Sequence, residues 1–416
     1  MFVLYQIVVS IFLLISPIII LFRILNNKEN KTRFIEKFSF PTKNKTKGKL
    51  IWFHGASVGE LLSVIPLIKY YEKNKLIKQI LVTSSTLSSS NVIKKFKLKK
   101  TIHQFYPIDY FPFTNKFLNY WKPSVGIFID SEIWPCMFRR INTKYIPLIL
   151  LNARITKKTF YRWIKLKKFS KLIFNYINST YPQNIETKKY LKKLNHKNIK
   201  YLGNLKFAED YEKNFNELNN NLKTEFNKKK IWIASSTHKS EEVFCAKAHI
   251  ELKKKYKNLL TIIIPRHTHR VDEIYSDLKK LGLKTILHSS NIKKINNADI
   301  YLVDTFGETK KFHKIGNTVF LGGSIIKRGG QSPLEAARFG AKILHGPNTD
   351  NFKDVYKLLK SMNISKKINS PKELAYSVKF KKNQNNGTKI RNIGDKILKK
   401  TIKELDKYIF DEVKKT

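Results

Sequence analysis

The first hydrophobic feature of the chain is an apolar run from Met1 to Phe22, broken only by a few polar residues and Pro17. A helix of roughly 20 apolar residues is long enough to cross the hydrocarbon core of a bilayer. No basic residue precedes the run, whereas Arg23 and several lysines follow it. We therefore predict a retained anchor over residues 1–25, with the N-terminus outside and the remainder in the cytoplasm. A cleaved signal peptide or a buried core helix is the alternative interpretation.

Beyond a polar linker over residues 26–48, short apolar runs alternate with helical stretches. They predict two sets of β-strands. The first set comprises Leu50–His54, Gln79–Thr83, Val125–Asp130, Ile146–Asn152 and Ile199–Lys206. The second set comprises Ile231–Ser235, Leu259–Pro265, Lys284–His288, Asp299–Asp304, Thr318–Gly322 and Ala341–Leu344.

Continuous apolar strands separated by helices indicate parallel sheets that are covered on both faces. Between the two sets, residues 209–229 are strongly polar and predict a linker between domains. The fold class expected is therefore α/β, with two Rossmann-like domains at residues 49–208 and 230–416 whose parallel sheets face a cleft. The last stretch, Gly387–Val413, predicts a long helix. Ligands in such sheets bind beyond the carboxyl ends of the strands.

Composition adds a formal charge of +50 over 416 residues. Taken alone, this charge would favour nucleic acid or an anionic membrane as a partner. The lysines are spread along the whole chain together with asparagine and isoleucine, which is also what an AT-biased coding sequence produces. The two cysteines, Cys136 and Cys245, match no metal or redox spacing, and a reducing compartment is expected.

A first candidate for chemistry follows the first predicted strand, where Gly55 and Gly59 flank a tight turn. Ser57 and Glu60 have the spacing of a capping box, so Glu60 could serve only to begin a helix. The other interpretation is a carboxylate at the mouth of the cleft, able to take a proton from an incoming hydroxyl. The residues alone favour the cap.

A second candidate is the glycine-rich stretch Arg328–Gly330 and the predicted helix that follows it. Ser332 is expected as its N-cap, Pro333 at its first position and Glu335 as the partner in a capping box. Such a helix terminus favours a phosphate, and Glu335 could accept hydrogen bonds from ribose hydroxyls. The preceding turn Gly322–Ser324 could supply further backbone donors.

Two further strand ends carry polar residues. Thr305–Glu308 is a third potential cap, and Arg266 can pair with phosphate, although a lone arginine is as often structural. His54, His267 and His269 form no metal-ligand spacing on one helix, so no metal site is predicted.

The predicted helix Lys157–Ile177 alternates aromatic and aliphatic residues with lysine and arginine. A basic amphipathic helix with aromatic residues suits an anionic membrane surface. An ordinary surface helix explains the pattern equally well.

Several short sequence motifs follow one another from the anchor to about Asp354, in the order in which one known family carries them. Together they resemble the motifs of the bacterial 3-deoxy-D-manno-octulosonate (Kdo) transferases. The chain departs from that family at Asp130, where glutamate is usual, at Ser235, where glycine is usual, and at Gln331 and Ser332, where His-Asn is usual. The matching stretches are His54–Glu60, Glu132–Pro135, Asn152–Arg154, Gly203–Phe207, Ser236–His238 with Glu241 and Glu242, Pro265–His267, Gly322–Ser324, Arg328–Gly330, Pro333–Glu335, Gly346–Pro347 and Asn351–Phe352.

The resemblance implies a glycosyltransferase-B fold and an inverting transfer of Kdo from CMP-Kdo to a lipid A precursor, without cofactor or metal. It implies that Glu60 is the general base, and that Glu132 and Lys206 stabilise charge. The partners it implies are CMP-Kdo, the lipid A precursor and the inner (plasma) membrane, with the catalytic domains on the cytoplasmic face and no nucleic acid. The CMP contacts it implies are Pro265, Arg266, Phe306, Gly307, Glu308, Ser332, Pro333, Leu334 and Glu335.

Two alternatives remain open. One is another transferase of the same fold that uses a different nucleotide sugar, because fold alone does not separate such enzymes. The other is a membrane-tethered protein that binds polyanions, which would explain the charge and the anchor but not the motifs at strand ends.

Overall fold

The computed structural model describes residues 1–209, 217–290, 295 and 297–410. Helices and strands alternate along most of this range. The α-helices are α1 (Phe2–Leu25), α2 (Val58–Glu72), α3 (Leu87–Lys95), α4 (Phe111–Trp121), α5 (Pro135–Thr143), α6 (Lys157–Lys165), α7 (Lys167–Asn175), α8 (Ile185–Lys193), α9 (Asn220–Asn227), α10 (Glu241–Lys253), α11 (Val271–Lys280), α12 (Thr309–Ile315), α13 (Leu334–Arg338), α14 (Lys353–Ser361), α15 (Pro371–Ser377) and α16 (Gln384–Ile409). The β-strands are β1 (Lys49–His54), β2 (Ile77–Ser84), β3 (Thr101–Phe105), β4 (Val125–Ile129), β5 (Leu148–Ala153), β6 (Ser179–Pro182), β7 (Lys230–Thr237), β8 (Leu259–Pro265), β9 (Thr285–Leu287), β10 (Ile300–Leu302), β11 (Thr318–Leu321), β12 (Lys342–His345) and β13 (Ser365–Lys367).

The chain divides into two compact units. Unit 1 comprises Met1–Asp210 with Ile393–Thr416, and unit 2 comprises Tyr211–Asn392. Helix α16 therefore begins in unit 2 and ends in unit 1. The domain limits expected from the sequence assign all of α16 to the second domain, and they stay a prediction. Residues 210–216 of the expected linker and 411–413 of the expected last helix lie outside the described residues.

Unit 1 contains a six-stranded sheet in the order β3-β2-β1-β4-β5-β6, and every pair of neighbours is parallel. Apolar residues of the central strands have almost no exposed surface, because helices cover both faces of a parallel sheet. Trp52 of β1 packs against Phe128 of β4 and against Phe117 of α4 in this core. The α/β architecture expected for the first domain is confirmed.

Unit 2 contains a seven-stranded parallel sheet in the order β13-β12-β11-β7-β8-β10-β9. Its core holds Trp232 of β7, Phe320 of β11 and Leu344 of β12, all completely buried. The expected second α/β domain with a parallel sheet is thus confirmed as well.

Some strand predictions were wrong, and the errors concentrate at sheet edges. The strands β3, β6 and β13 were missed, and each is an edge strand of its sheet. Edge strands can be shorter and more polar, because they hydrogen-bond on one side only. The expected strand Ile199–Lys206 is not one. Ile199 forms an isolated bridge to Thr180, and a 3₁₀ helix begins at Leu205.

The apolar N-terminal run forms α1, which is long and apolar enough to cross a membrane by length and composition. Only 11% of the most apolar stretch of this helix is buried within the protein. The expected basic helix over Lys157–Ile177 is divided at Leu166 into α6 and α7. Tyr161, Ile164 and Leu172 of these two helices are exposed.

At Gly394 in α16, packing and helix propensity predict opposite effects of an alanine substitution on stability. A Cβ atom at this position would lie 2.3 Å from the carbonyl oxygen of Phe207. Glycine to alanine normally stabilises a helix by roughly 1 kcal/mol. Here we expect Gly394→Ala to destabilise the protein by about 1–3 kcal/mol, because the contact forces the backbone to shift.

The measurement is thermal or urea unfolding of the full chain. Gly59→Ala is the matched control, since a Cβ atom at this helical glycine meets no atom within 4 Å. A stabilisation of similar size in both variants would refute the packing argument.

Candidate active site

The polar motifs of unit 1 lie where the strand order of its sheet reverses. β1 and β4 are neighbours, although β2 and β3 separate them in the chain. β1 ends at His54 and leads through Gly55 into α2, whereas β4 ends at Ile129 and leads into α5. In open α/β sheets this reversal creates the crevice in which ligands bind.

Glu60 forms the capping box that the spacing predicts. Its backbone N–H donates to Ser57 Oγ, and its Oε2 accepts from the backbone N–H of Ala56 at 2.7 Å. Ser57 Oγ also donates to Glu60 Oε1 at 2.8 Å. The capping role is therefore confirmed, and the carboxylate is held in one orientation at the start of α2.

The same carboxyl has an unusual protonation equilibrium. Burial raises the pKa of Glu60 to about 7, against the opposing hydrogen bond from Ser57. The negative charges of Glu132 and Asp130 raise it further. A carboxyl that titrates near neutral pH is suited to general-base chemistry.

Glu132 is held by two ring N–H groups. Its Oε2 accepts from Trp134 Nε1 at 2.9 Å and lies 3.1 Å from His54 Nε2. Trp52 Nε1 donates to Thr83 Oγ1 at 2.9 Å, and His54 Nδ1 lies 2.9 Å from the same oxygen.

These distances assign the tautomer of His54. A carboxylate can only accept, so Nε2 carries the proton, while the Thr83 hydroxyl donates to Nδ1. Burial lowers the pKa of His54, which keeps the ring neutral although Glu132 opposes this shift. His54 was considered in the sequence only as a metal ligand. Its placement at the end of β1, beside the Glu132 segment, indicates this positioning role.

Asp130 and Lys206 complete the polar group of unit 1. Asp130 has φ 64°, a left-handed conformation that turns the chain sharply after β4. Burial raises its pKa, and the nearby charges of Lys206 and Arg154 partly offset the rise. Glu60, Glu132 and Lys206, the catalytic residues expected from the sequence, are therefore brought together in one unit.

The glycine turn of unit 2 does not offer the donors that the sequence predicts. The backbone N–H groups of Gly323, Ser324 and Ile325 all donate to the carboxylate of Glu241, at 2.6 to 3.0 Å. Glu241 is completely buried and also accepts from the backbone N–H of His238. The protein's own carboxylate occupies this turn, so the backbone donors that the sequence analysis allowed here are already used.

The expected cap of the following helix was also wrong. α13 is a short helix of five residues that begins at Leu334, and its N-cap position, Pro333, makes no side-chain hydrogen bond. Ser332 is not the cap, and Glu335 instead accepts from His313 Nδ1 at 2.8 Å. A proline cannot supply a capping side chain, so tertiary contacts position Glu335.

Hydrogen bonds through His313 link β7 to α13. Ser235 Oγ lies 3.0 Å from His313 Nε2, and the opposite ring nitrogen bonds Glu335. Burial alone would raise the pKa of Glu335, but the hydrogen bond and charge of His313, with Lys310 and Arg338, lower it. Ser235, which stands where glycine is usual in the resembled family, supplies the first link. His313 was missed because its partners are distant in sequence.

The remaining expected CMP contacts lie at the ends of β8 and β10. Pro265 is buried, whereas Arg266 and Phe306 are exposed, Phe306 to 85%. Gly307 has φ 91° in the loop before α12, and Glu308 bonds Lys311 at 2.6 Å instead of capping that helix.

A cluster of positive and imidazole groups adjoins Arg266. Burial lowers the pKa of His238, and the charges of His267, Arg328 and Arg266 lower it further, against Glu241. His238 and Arg328 were quoted in motifs without a role. The two arginines of this cluster favour a bound anion. Among the described residues, no group of three or more His, Cys, Asp or Glu side chains could hold a metal ion.

Two parallel sheets of this kind, with polar residues beyond the carboxyl ends of their strands, define the glycosyltransferase-B fold class. A putative UDP-N-acetylglucosamine 2-epimerase from Listeria monocytogenes is similar over 88% of this chain and 97% of its own, with TM-score 0.54 and 11% identity. A kitacinnamycin glycosyltransferase is similar over 88% of this chain and 100% of its own, with TM-score 0.50 and 8% identity. These likenesses concern the fold alone.

Sequence relatives are more specific. The family described as 3-deoxy-D-manno-octulosonic-acid transferase (kdotransferase) matches residues 32–209. The 3-deoxy-D-manno-octulosonic acid transferase of Rickettsia prowazekii (strain Madrid E) is 34% identical over 87% of this chain and 78% of its own. That of Rickettsia bellii (strain RML369-C) is 33% identical over 98% and 97%. The chain belongs to the 3-deoxy-D-manno-octulosonic acid transferase family and is a glycosyltransferase.

The raised pKa of Glu60 predicts a stability effect with a definite sign. Between its ordinary value of 4.5 and about 7, the folded protein keeps a proton that the unfolded chain releases. Stability therefore declines as the pH rises through this window. We expect Glu60→Gln to remove this part of the decline, so that melting temperatures at about pH 5 and about pH 8 differ less than in the parent.

Glu373→Gln is the control, because Glu373 partners Ser370 at the start of α15, in unit 2. Differential scanning calorimetry at both pH values would test the expectation. An unchanged pH dependence in Glu60→Gln would show that Glu60 has an ordinary pKa.

Proposed function

We propose that the protein transfers Kdo from CMP-Kdo to a lipid A precursor, with inversion at the anomeric carbon and Glu60 as the general base. The observation that carries the proposal is the Glu60 carboxyl, which is oriented by its capping box and whose pKa is raised to about 7 beside Glu132 and Asp130. Membership of the Kdo transferase family supports the donor sugar.

In the proposed reaction this carboxylate is the general base. A primary hydroxyl of the acceptor is a poor nucleophile until a positioned base removes its proton. Glu60 takes that proton as the hydroxyl oxygen forms a bond to the anomeric carbon. The bond from that carbon to the CMP phosphate oxygen breaks, and CMP leaves with the electron pair. A single displacement of this kind inverts the anomeric configuration, and the transition state is oxocarbenium-like, as in glycoside hydrolysis.

The other charged groups of unit 1 have supporting roles in the proposal. Glu132, held by His54 and Trp134, faces the positive charge that develops on the sugar ring. Lys206 pairs with the carboxylate of Kdo. Its electrostatic influence on Asp130 supports this role, because it lies among the carboxylates that surround Glu60.

CMP is proposed to bind unit 2. Arg266 and Arg328, with His238 nearby, carry the positive charge that stabilises a departing phosphate. Glu335, oriented by His313, accepts from the ribose hydroxyls, and exposed Phe306 offers a ring face to the base. Gly307, Glu308, Ser332 and Pro333 line the same site. Pro265 and Leu334 are buried residues, and the proposal places them behind this site.

The proposed location is the cytoplasmic face of the inner membrane. α1 supplies an apolar helix, and α6 and α7 expose aliphatic and aromatic side chains among lysines. An anionic bilayer attracts such a surface, and salt weakens the attraction. The transfer is proposed to require no metal.

Glu60→Gln separates the base from the cap. Glutamine can also occupy a capping box, so folding should survive the substitution. Because the amide cannot take a proton, we expect turnover to fall by roughly 10²- to 10⁴-fold. CMP affinity should be unchanged, since the proposed CMP contacts lie in unit 2.

The measurement is turnover with CMP-Kdo and a tetra-acylated lipid A precursor, with products weighed by mass spectrometry. Glu373→Gln again controls for loss of a capping carboxylate. Near-parental turnover in Glu60→Gln would assign Glu60 to the cap alone.

Substitutions in unit 2 test the donor site. Arg266→Ala and Glu335→Ala each remove one charged partner, and such hydrogen bonds contribute about 1.5–3 kcal/mol. We expect CMP affinity to fall by roughly tenfold or more in each variant, measured by calorimetry.

Lys280→Ala is the control, because it removes an exposed cation at the end of α11. Unchanged CMP affinity in both test variants would refute the assignment of the donor site.

A further inference from the structure

A buried carboxylate links the apolar helix α1 to the segment that carries Glu132. Asp109 lies in the loop before α4 and is 3% exposed. It accepts three hydrogen bonds, from Tyr5 Oη at 2.7 Å and from the backbone N–H groups of Cys136 at 3.0 Å and Met137 at 2.8 Å. Tyr5 is thus the one donor of the three that lies on α1.

Asp109 supplies the cap that α5 lacks. The N-cap position of α5 is Trp134, whose side chain makes no capping bond, and Pro135 occupies the first helical position. The free N–H groups of the first turn are those of Cys136 and Met137. Asp109 satisfies both from a separate loop, and its negative charge lies at the favourable end of the helix.

The residues just before α5 are those of the proposed active site. Trp134 Nε1 donates to Glu132 Oε2, and Tyr106 packs against both Trp134 and His54, with ring centroids 5.2 and 3.8 Å apart. The place at which α5 begins therefore determines where Trp134 can hold Glu132.

The first two turns of α1 make further contacts around this cap. Gln6 Oε1 accepts from the backbone N–H of Phe111 at 3.3 Å, and its amide nitrogen bonds Cys136 Sγ. Phe2 meets Phe169 of α7 edge to face, with ring centroids 5.3 Å apart, and lies beneath the guanidinium of Arg139. Beyond these turns, most apolar side chains of α1 are exposed.

We propose that Tyr5 is a positioning residue for the transfer reaction, acting through Asp109 and the start of α5 on Glu132. The inference rests on the proposed function, because it gives the apolar helix α1 a role in positioning Glu132 of the proposed active site. Burial raises the pKa of Asp109 to about 6, and the bonds from Cys136, Tyr5 and Met137 oppose the rise. Loss of the Tyr5 bond therefore weakens the carboxylate as a cap.

Both ends of α1 lie close to contacts with unit 1. Tyr5 near its N-terminal end bonds Asp109, and Arg33, which follows soon after α1, donates to the backbone oxygen of His103 in β3. At 1.5 Å per residue, the 24 residues of α1 extend about 36 Å, roughly the thickness of a bilayer core, so a single crossing would place Tyr5 on the membrane face opposite unit 1. The Tyr5 bond therefore requires that α1 stay on the side of unit 1, whereas the charge pattern alone predicts the opposite side for its N-terminal end.

The test compares full-length Tyr5→Phe with the parent in lipid nanodiscs. Ser16→Ala is the matched control, because it removes a hydroxyl from the same helix whose hydrogen bond goes to Leu13 O within α1. Amide hydrogen exchange is followed for residues 136 and 137. Transfer kinetics give kcat and KM for CMP-Kdo.

In Tyr5→Phe we expect exchange at these two amides to be roughly tenfold faster, and kcat to fall by a similar factor, because a bond to a charged group contributes about this much. KM for CMP-Kdo should not change. Adding Tyr5→Phe to Asp109→Asn should cause little further loss, because both substitutions act through one carboxylate. In Ser16→Ala, exchange and kcat should equal those of the parent.

Unchanged exchange at Cys136 and Met137 in Tyr5→Phe would overturn the proposal. So would a peptide tag before Met1 that protease removes only from the membrane face opposite unit 1. A parent protein without transfer activity would defeat the proposed function, whereas the exchange measurement would still decide whether Tyr5 supports the cap of α5.

Discussion

Each sheet is parallel throughout and is buried on both faces, and this constraint decides where polar chemistry can lie. Most side chains along the central strands are apolar, so charged residues collect at and beyond the strand ends. The carboxyl ends of all strands of a parallel sheet lie at one edge. His54 ends β1, and Asp130 and Arg154 follow the next two strands of the sheet, so all three residues lie at that edge.

The two units use a carboxylate after their first strand in different ways. Glu60 accepts from backbone N–H groups of its own loop and stays half-buried with a pKa of about 7. Glu241 reaches the loop of the neighbouring strand and accepts from three successive N–H groups there. The first arrangement leaves a carboxyl able to accept a proton, whereas the second carboxylate is occupied by the glycine turn and by the backbone N–H of His238. In the proposed function, the binding of the CMP phosphate to unit 2 therefore depends on side chains such as Arg266 and Arg328.

The first turns of helices in this protein are capped either by local side chains or by distant ones. A capping box forms at Ser57 and Glu60. At α15, Ser370 accepts from the backbone N–H of Glu373, whose carboxylate accepts from the N–H of Asn369, so here too the capping groups lie within the same turn. The N-cap residues of α5 and α13, Trp134 and Pro333, make no capping hydrogen bond. The first turn of α5 is capped by a distant group. For α5 this group is Asp109, and the residues that precede the helix include Glu132. When a distant group caps a helix, the position of that group determines where the helix begins. This is the proposed way in which α1 affects the proposed active site.

Local patterns were sufficient for much of the fold and part of the site. Apolar runs predicted the central strands of both sheets, because those strands are buried on both faces and show a continuous signal. The edge strands β3, β6 and β13 escaped detection, since half-exposed edges tolerate polar residues. Spacing alone predicted the capping box of Ser57 and Glu60, whose partners are three residues apart. The family motifs predicted which strand ends carry function.

Tertiary structure alone decided the contacts between residues distant in sequence. No local pattern indicates that Glu241 fills the turn at Gly323, that His313 links Ser235 to Glu335, or that Tyr5 completes the cap of α5 through Asp109. Each depends on chain crossovers that bring separate segments to one sheet edge or one helix end. The sequence by itself therefore determined the central strands, the fold class and the candidate residues. Their protonation and orientation follow from burial and from partners that only the folded chain supplies.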